Sequence, residues 1–301
     1  MTAAPPTPAA PQPQSLLMSL VGLHQLDTAR PVSGTSVVHV LGRLGVAEPA
    51  ARSVLQRVTT RGLITRHKEG RRTFYSPTDR GRDILEGGRT KMFHCWREDA
   101  WDGRWTFVNL TVPEKHRKLR HRIGSQLTWA GFARTPGGLW VAPGRHEVTD
   151  LLGEDALSGP DATASPTSPP VVIYGHPCAP TTDAQLVGSF DLDGIAAGFR
   201  DFLARWDAGE AEDAVATAPT DPVDALVTRL QLHAEWLTLT RADPQLPGPL
   251  LPADWPGSTA GDRFRELDAA LAGQENPVIE DYFAGTLDRL PRSQPANLPG
   301  Y

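Results

Sequence analysis

The segment from residue 34 to residue 78 changes from helical to alternating hydrophobic periodicity, and this change most limits the possible fold. Apolar residues three and four apart predict one helix that ends at Gly45 and a second that runs from about Glu48 to Gly62. After Gly62, apolar and polar residues alternate around a turn that contains Gly70, which is typical of a β-hairpin. The sequence therefore predicts two helices joined by a tight turn and followed by a hairpin.

The flanking segments complete this unit. Residues 15–26 have a helical apolar pattern, and the sequence Ser76-Pro77-Thr78-Asp79 is a typical start of a further helix. Three helices, a basic hairpin and a closing helix predict a winged helix-turn-helix over residues 15–90. Residues 1–14 are rich in Pro and Ala and lack the basic and apolar regions of a secretory signal, so we expect a disordered leader there.

The polar residues of this unit are of the types that contact nucleic acid. The second helix of the pair leaves five residues facing outward: Arg52, Ser53, Gln56, Arg57 and Thr60. Such side chains contact base edges and phosphates from a helix in the major groove. The hairpin carries four basic residues suited to anchoring on phosphates: Arg66, Lys68, Arg71 and Arg72. These residues predict binding to double-stranded DNA.

The distribution of charge supports the same prediction. Residues 41–91 hold twelve Lys and Arg against five acidic residues, whereas residues 183–301 hold eight Arg against twenty acidic residues. A polyanion would be attracted to the first region and repelled by the second. Two alternatives stay open at this point: the arginines form a solvated face of a small helical domain, or a winged helix binds a protein partner.

The rest of the chain predicts two further domains, so that the whole belongs to the α+β class. A connector rich in Trp and charge covers residues 91–104. Residues 105–180 follow a β-α-β-β-α-β order, which indicates a ferredoxin-like sheet with its helices on one face. Residues 181–301 have helical periodicity on both sides of a proline-rich loop at 244–256 and predict an all-α C-terminal domain.

No catalytic or metal-binding pattern is evident in the sequence. Cys95, Cys178 and the nine histidines lack the spacing of metal ligands, and the motifs of hydrolases, P-loop proteins and dinucleotide-binding proteins are missing. No apolar run approaches the ~18 residues of a membrane span. We therefore expect a cytoplasmic protein that is not an enzyme, needs no cofactor or metal and does not enter a membrane.

An ordered set of motifs resembles the PaaX-like repressors of phenylacetate catabolism. The matching pieces are residues 45–64, Arg72-x-x-Tyr75-x-x-Thr78, Trp101-Asp102-Gly103-x-Trp105, Gly131-Phe132, Leu139-Trp140-Val141-x-Pro143, residues 190–206 and residues 241–257. The resemblance implies a winged-helix N-terminus, a central domain like the ferredoxin-like Cas2 proteins and a helical C-terminal domain. It further implies a homodimeric repressor that an aryl-CoA thioester, such as phenylacetyl-CoA, releases from its operator.

Five residues are candidates for binding that effector: Trp101, Trp105, Lys115, Lys118 and Arg122. The tryptophans would stack on an aromatic group and the basic residues would bind phosphates, although tryptophans in a connector more often join domains. The Cas2-like fold also raises a nuclease alternative. That activity needs carboxylates near the end of the first strand, where this chain has Thr111-Val112-Pro113, so we reject it.

Overall fold

The computed structural model describes residues 12–28, 30–93, 101–152, 170–207 and 221–287. Helices and two antiparallel sheets are both present, as the predicted α+β class requires. The chain divides into two compact units, of which the first holds residues 1–93, 201–238 and 259–301 and the second holds residues 94–200 and 239–258. Most of the predicted leader and the central part of the predicted connector lie outside the described residues.

The first unit begins with the helices and the hairpin that the periodicity predicts. Its elements are α1 (Pro13–Gln25), β1 (Val32–Ser33), α2 (Gly34–Arg43), α3 (Glu48–Thr60), β2 (Ile64–Glu69), β3 (Arg72–Pro77) and α4 (Asp79–Phe93). The three strands are ordered β1-β3-β2 with antiparallel neighbours. Because α1 starts at Pro13, the helix begins slightly inside the predicted leader, and proline is well suited to a first helical turn.

Local sequence features set the ends of these elements. Ser33 Oγ accepts a hydrogen bond from the Thr35 backbone N–H at 3.3 Å and so caps the N-terminus of α2. Gly45 and Gly62, which follow α2 and α3, have φ values of 78° and 67°. Glycine adopts this left-handed conformation without the penalty that a Cβ brings. Both turns therefore depend on the glycines from which the sequence predicted them.

Helices from the C-terminal part of the chain pack into the same core. They are α9 (Pro222–Ala242) and α10 (Gly257–Ala284), which follow α8 (Leu192–Asp207), a helix that begins in the second unit and ends in the first. Leu17 of α1, Val40 of α2 and Val58 of α3 belong to one buried cluster with Leu226 of α9 and Phe283 of α10. The residues of the predicted N-terminal and C-terminal domains thus share a core, and the boundaries given for the three domains stay predictions.

The second unit contains a four-stranded sheet. Its elements are β4 (Trp105–Asn109), a 3-10 turn (Glu114–His116), α5 (Arg117–Trp129), β5 (Ala133–Arg134), β6 (Trp140–Pro143), α6 (Val148–Leu152), β7 (Val171–Gly175) and α7 (Asp183–Val187). The strand order is β5-β6-β4-β7 and every neighbouring pair is antiparallel. This is the β-α-β-β-α-β order predicted from the sequence, and its first strand lies next to its third and fourth.

The core of this sheet forms on the face that α5 covers. Leu119, Ile123 and Leu127 lie along one side of α5 and are buried together with Val108 of β4 and Ala142 of β6. The spacing of three and four residues on α5 is what produced the helical prediction. Burial of this stripe leaves the basic residues of α5 in solvent. No helix in the described part of the chain is long and apolar enough to cross a bilayer.

Candidate nucleic-acid interface

Helix α3 separates an apolar face from a polar one. Its buried residues are Ala51, Val54, Leu55 and Val58. The five residues predicted to contact DNA are all exposed: Arg52, Ser53, Gln56, Arg57 and Thr60. Arg52 pairs with Glu48 one turn earlier, at 2.6 Å, in an exposed contact of the kind worth about 0.3–0.5 kcal/mol. Such a weak pair can exchange for a phosphate at little cost.

The β2–β3 hairpin presents the predicted basic residues at its tip and on its flanks. Gly70, with a φ of 61°, and Arg71 form the turn between the strands. Arg66 and Lys68 are two residues apart on β2, which places them on one face of the strand. Arg66, Lys68, Arg71 and Arg72 are all exposed. The structure therefore places all nine predicted DNA contacts in solvent, on one helix and the hairpin that follows it.

Arg72 has a partner that the sequence does not predict. Its Nη1 donates a hydrogen bond to the Ala284 carbonyl at 3.0 Å, at the C-terminal end of α10. The carbonyl end of a helix carries partial negative charge and attracts cations. If Arg72 anchors on a phosphate, as the sequence predicts, it can do so through the N–H donors that this hydrogen bond does not use.

A second contact also ties the end of α10 to the N-terminal elements. Both terminal nitrogens of Arg30 bind the Glu280 carboxylate, at 2.7 and 2.8 Å. The Arg30 guanidinium also lies 4.2 Å from the centre of the Phe283 ring. The hydrogen bonds from Arg30 lower the pKa of Glu280. Sequence reasoning missed this pair because 250 residues separate its members and neither lies in a local pattern that indicates the other.

A buried polar cluster links α1 to α9 and α10. His24 Nδ1 lies 3.9 Å from Glu275 Oε1, and Arg229 bridges Glu275 and Asp268. His233 Nε2 is 2.6 Å from Asp268 Oδ1. Burial raises the pKa of Glu275 to about 7 and lowers that of His24 to about 3. Burial alone would raise the pKa of Asp268, but hydrogen bonds from His233 and Arg229 bring it down to about 2.

The residues predicted to bind an effector lie at two ends of β4. Trp105, at the start of β4, is fully buried and donates its Nε1–H to Asp183 Oδ1 at 2.8 Å. The rings of Trp101 and Trp105 are packed edge to face, with 5.9 Å between their centres. Lys115, Lys118 and Arg122 follow the end of β4 and are exposed. Trp105 therefore has a packing role in the second unit. The assignment of these residues to an effector site stays a prediction.

No part of the described chain has the composition of a metal site. Within residues 12–28, 30–93, 101–152, 170–207 and 221–287, no group of three or more His, Cys, Asp or Glu side chains could hold a metal ion. Glu114 is exposed in the 3-10 turn after β4, and the strand itself ends at Asn109. These residues do not provide the carboxylate set that a metal-dependent nuclease needs at this position.

Three models of one protein family match successive parts of the chain. Residues 12–81 match the PaaX-like protein model, residues 98–160 match the PaaX protein central Cas2-like domain and residues 190–280 match the PaaX-like protein C-terminal domain. Among curated proteins, the chain is similar to the transcriptional repressor PaaX of Escherichia coli (strain K12). The two are 25% identical over 248 residues, which cover 82% of this chain and 76% of the relative.

A solved structure has a similar fold. It is the uncharacterized protein Rv0674 from Mycobacterium tuberculosis, with a TM-score of 0.54 and 22% sequence identity. The match covers 89% of this chain and 99% of the other, and at this identity it supports the fold alone. The three family models together span the N-terminal, central and C-terminal parts of the chain in one order. The chain therefore belongs to the PaaX-like family of transcriptional regulators.

Proposed function

We propose that this protein is a cytoplasmic, homodimeric transcriptional repressor that binds double-stranded operator DNA through a winged helix-turn-helix over residues 15–90. Helix α3 is the recognition helix, and the β2–β3 hairpin is the wing. One observation carries this proposal: α3 buries its apolar stripe and leaves a polar face exposed beside a basic hairpin. The name of the relative from Escherichia coli, a transcriptional repressor, supports the direction of regulation.

The side chains of α3 and of the hairpin take different parts in this interface. Arg52 and Arg57 suit guanine, whose major-groove edge accepts two hydrogen bonds from a guanidinium, and Gln56 suits adenine. Ser53 and Thr60 have short hydroxyl side chains, which can donate hydrogen bonds to the DNA phosphates beside these bases. The basic residues of the hairpin bind phosphates and so supply affinity that does not depend on base sequence. The homodimer would place two copies of α3 in successive major grooves.

The regulatory ligand in this proposal is an aryl-CoA thioester such as phenylacetyl-CoA, in keeping with the family resemblance. A ligand shifts an equilibrium between two states only by binding one of them more tightly than the other. The effector would favour a state in which the two recognition helices no longer match the spacing of the half-sites. The protein then acts as a ligand-controlled switch, with no catalytic step and no cofactor.

The test begins with the selection of genomic DNA fragments by the purified full-length chain. Gel-shift titration of a selected fragment then compares the wild type with Arg57→Ala. If Arg57 contacts a base, the variant binds about 1–3 kcal/mol more weakly. The control is Arg145→Ala, because Arg145 is exposed in the second unit and pairs with Glu147 at 2.9 Å. Failure to select any fragment would contradict the proposed function, and unchanged affinity of Arg57→Ala would remove that residue from the interface.

A further inference from the structure

The second unit contains a cavity of about 400 Å³ where β4 ends, α5 begins and β5 turns into β6. This volume lies within the range of small-molecule sites. All the elements that line it belong to the one sheet and the helix packed on it. Six of its lining residues matter for recognition: Thr111, Glu114, Arg120, Arg134, Gly138 and Trp140. The position of the cavity at the junction of three elements explains why no single sequence motif indicates it.

Two guanidinium groups make the cavity attractive to anions. Arg120 Nη2 donates to the Val112 carbonyl at 3.2 Å, which holds the side chain of this α5 residue against the segment that follows β4. A guanidinium has five N–H donors, so one such bond leaves donors for a ligand. Arg134 lies on β5 and also lines the cavity. Against these two cations the cavity has one carboxylate in its lining, that of Glu114.

The turn between β5 and β6 gives Arg134 its place. Gly138 has a φ of 87°, and a Cβ built on it would lie 3.4 Å from Arg134 Nη2. The Arg134 Nε also approaches the Gly138 carbonyl, at 3.5 Å. The guanidinium therefore rests against backbone that has no side chain of its own. This contact holds the charged group beside the cavity that Arg134 lines.

An aromatic surface completes the lining. Trp140 is partly buried, and its ring lies against Gly124 of α5, where a Cβ would meet ring atoms at 3.7 and 3.8 Å. Ile123 and Val112 add apolar surface. An indole ring provides a face on which a planar base can stack, and guanidinium groups bind phosphate through paired N–H donors. The lining thus combines recognition of an aromatic ring with recognition of phosphate.

We propose that this cavity binds the phosphorylated nucleotide end of the regulatory ligand, with the base against Trp140 and the phosphates on Arg120 and Arg134. The identification of that ligand as a CoA thioester rests on the proposed function. The nucleotide site itself is inferred from the lining of the cavity, and it would also bind a free nucleotide that carries the same base and phosphates. Lys115 and Lys118, which are close to Glu114 and Arg120 in the sequence, are exposed and add positive charge at the start of α5.

The test is isothermal titration calorimetry on the full-length chain without DNA. The probes are adenosine 3′,5′-bisphosphate, coenzyme A, phenylacetyl-CoA and phenylacetate. We expect the three nucleotide-containing probes to bind and phenylacetate to give no heat. Arg134→Gln should weaken their binding at least tenfold, whereas Arg145→Gln, an exposed arginine of the same unit outside the cavity lining, should change it less than twofold.

Two results would overturn the proposal. The first is that the nucleotide probes bind Arg134→Gln as tightly as they bind the wild type. The second is that none of the nucleotide probes binds the wild type. Arg120→Gln provides a second variant, because it removes the other guanidinium of the cavity lining, and we expect it also to weaken binding of the nucleotide probes. The gel shift distinguishes this proposal from the proposed function: nucleotide binding without any DNA binding would refute the repressor and leave the site in place.

Discussion

Replacement of Gly285 by alanine tests the contact between the end of α10 and the start of α2. Gly285 follows α10 with a φ of 78°, and a residue with a Cβ in the left-handed conformation is destabilised by about 1–2 kcal/mol. A Cβ at this position would lie 2.3 Å from Ser33 Oγ and 2.7 Å from Ser33 Cβ. These separations are far below van der Waals contact, so Ser33 would have to move.

Movement of Ser33 has its own consequence, because its hydroxyl caps α2. The Ser33 Oγ accepts the Thr35 N–H, and the loss of an N-cap of this kind costs about 0.5–2 kcal/mol. Together with the backbone effect, we expect Gly285→Ala to lower the free energy of unfolding by about 1.5–4 kcal/mol. The matched control is Gly45→Ala, since Gly45 has the same φ of 78° and nothing within 4 Å of its would-be Cβ.

The assay is urea unfolding of the full-length variants followed by circular dichroism at 25 °C. The control should lose only the backbone contribution, so Gly285→Ala should be the less stable of the two by the cost of the lost N-cap, about 0.5–2 kcal/mol. Addition of Ser33→Gly to Gly285→Ala should recover part of the loss, because it removes the side chain that the new methyl group meets. Equal losses in Gly285→Ala and Gly45→Ala would refute the packing of α10 against α2.

Two further predictions concern buried polar groups. Burial raises the pKa of Glu275 from about 4.5 to about 7, so its contribution to stability is present below pH 4.5 and is lost as the pH rises through 7. Relative to Glu275→Gln, the free energy of unfolding of the wild type in urea should fall by up to about 3 kcal/mol between pH 5 and pH 8. Parallel pH profiles of the two proteins would contradict this. Trp105→Phe should lower the free energy of unfolding by about 1–3 kcal/mol, because it removes the hydrogen bond to Asp183, and should leave phenylacetyl-CoA binding unchanged in calorimetry. Weaker ligand binding at full stability would instead favour the sequence-based role of Trp105 in an effector site.

The local elements could be predicted from the sequence because each has a local cause. The stripe of Ala51, Val54 and Val58 defines α3, and the exposed residues between them follow from that stripe. Gly45 and Gly62 mark the turns because their φ values are positive. The order of strands and helices in residues 105–175 also follows from periodicity and turn residues.

The long-range contacts could not be predicted, because their partners have no shared local pattern. Arg30 and Glu280 are 250 residues apart, and Arg72 binds a backbone carbonyl that any residue at position 284 would provide. The sequence suggested that Trp105 could bind a ligand, because it lies directly after a Trp-rich connector, whereas the structure buries it. Hydrophobic periodicity identifies which face of a helix or strand is buried, but it does not indicate which distant element covers that face.

The salt dependence of DNA binding by the full-length chain tests the central claim most directly. For a protein that neutralises phosphates, the logarithm of the association constant falls linearly with the logarithm of salt concentration, by about 0.9 per phosphate. The wild type should show a slope of several units on a selected fragment. The variant that combines Arg66→Ala with Lys68→Ala should have a slope shallower by about 2, since two exposed hairpin cations are lost. Binding that does not depend on salt, or a slope that these two substitutions leave unchanged, would contradict DNA recognition through the hairpin.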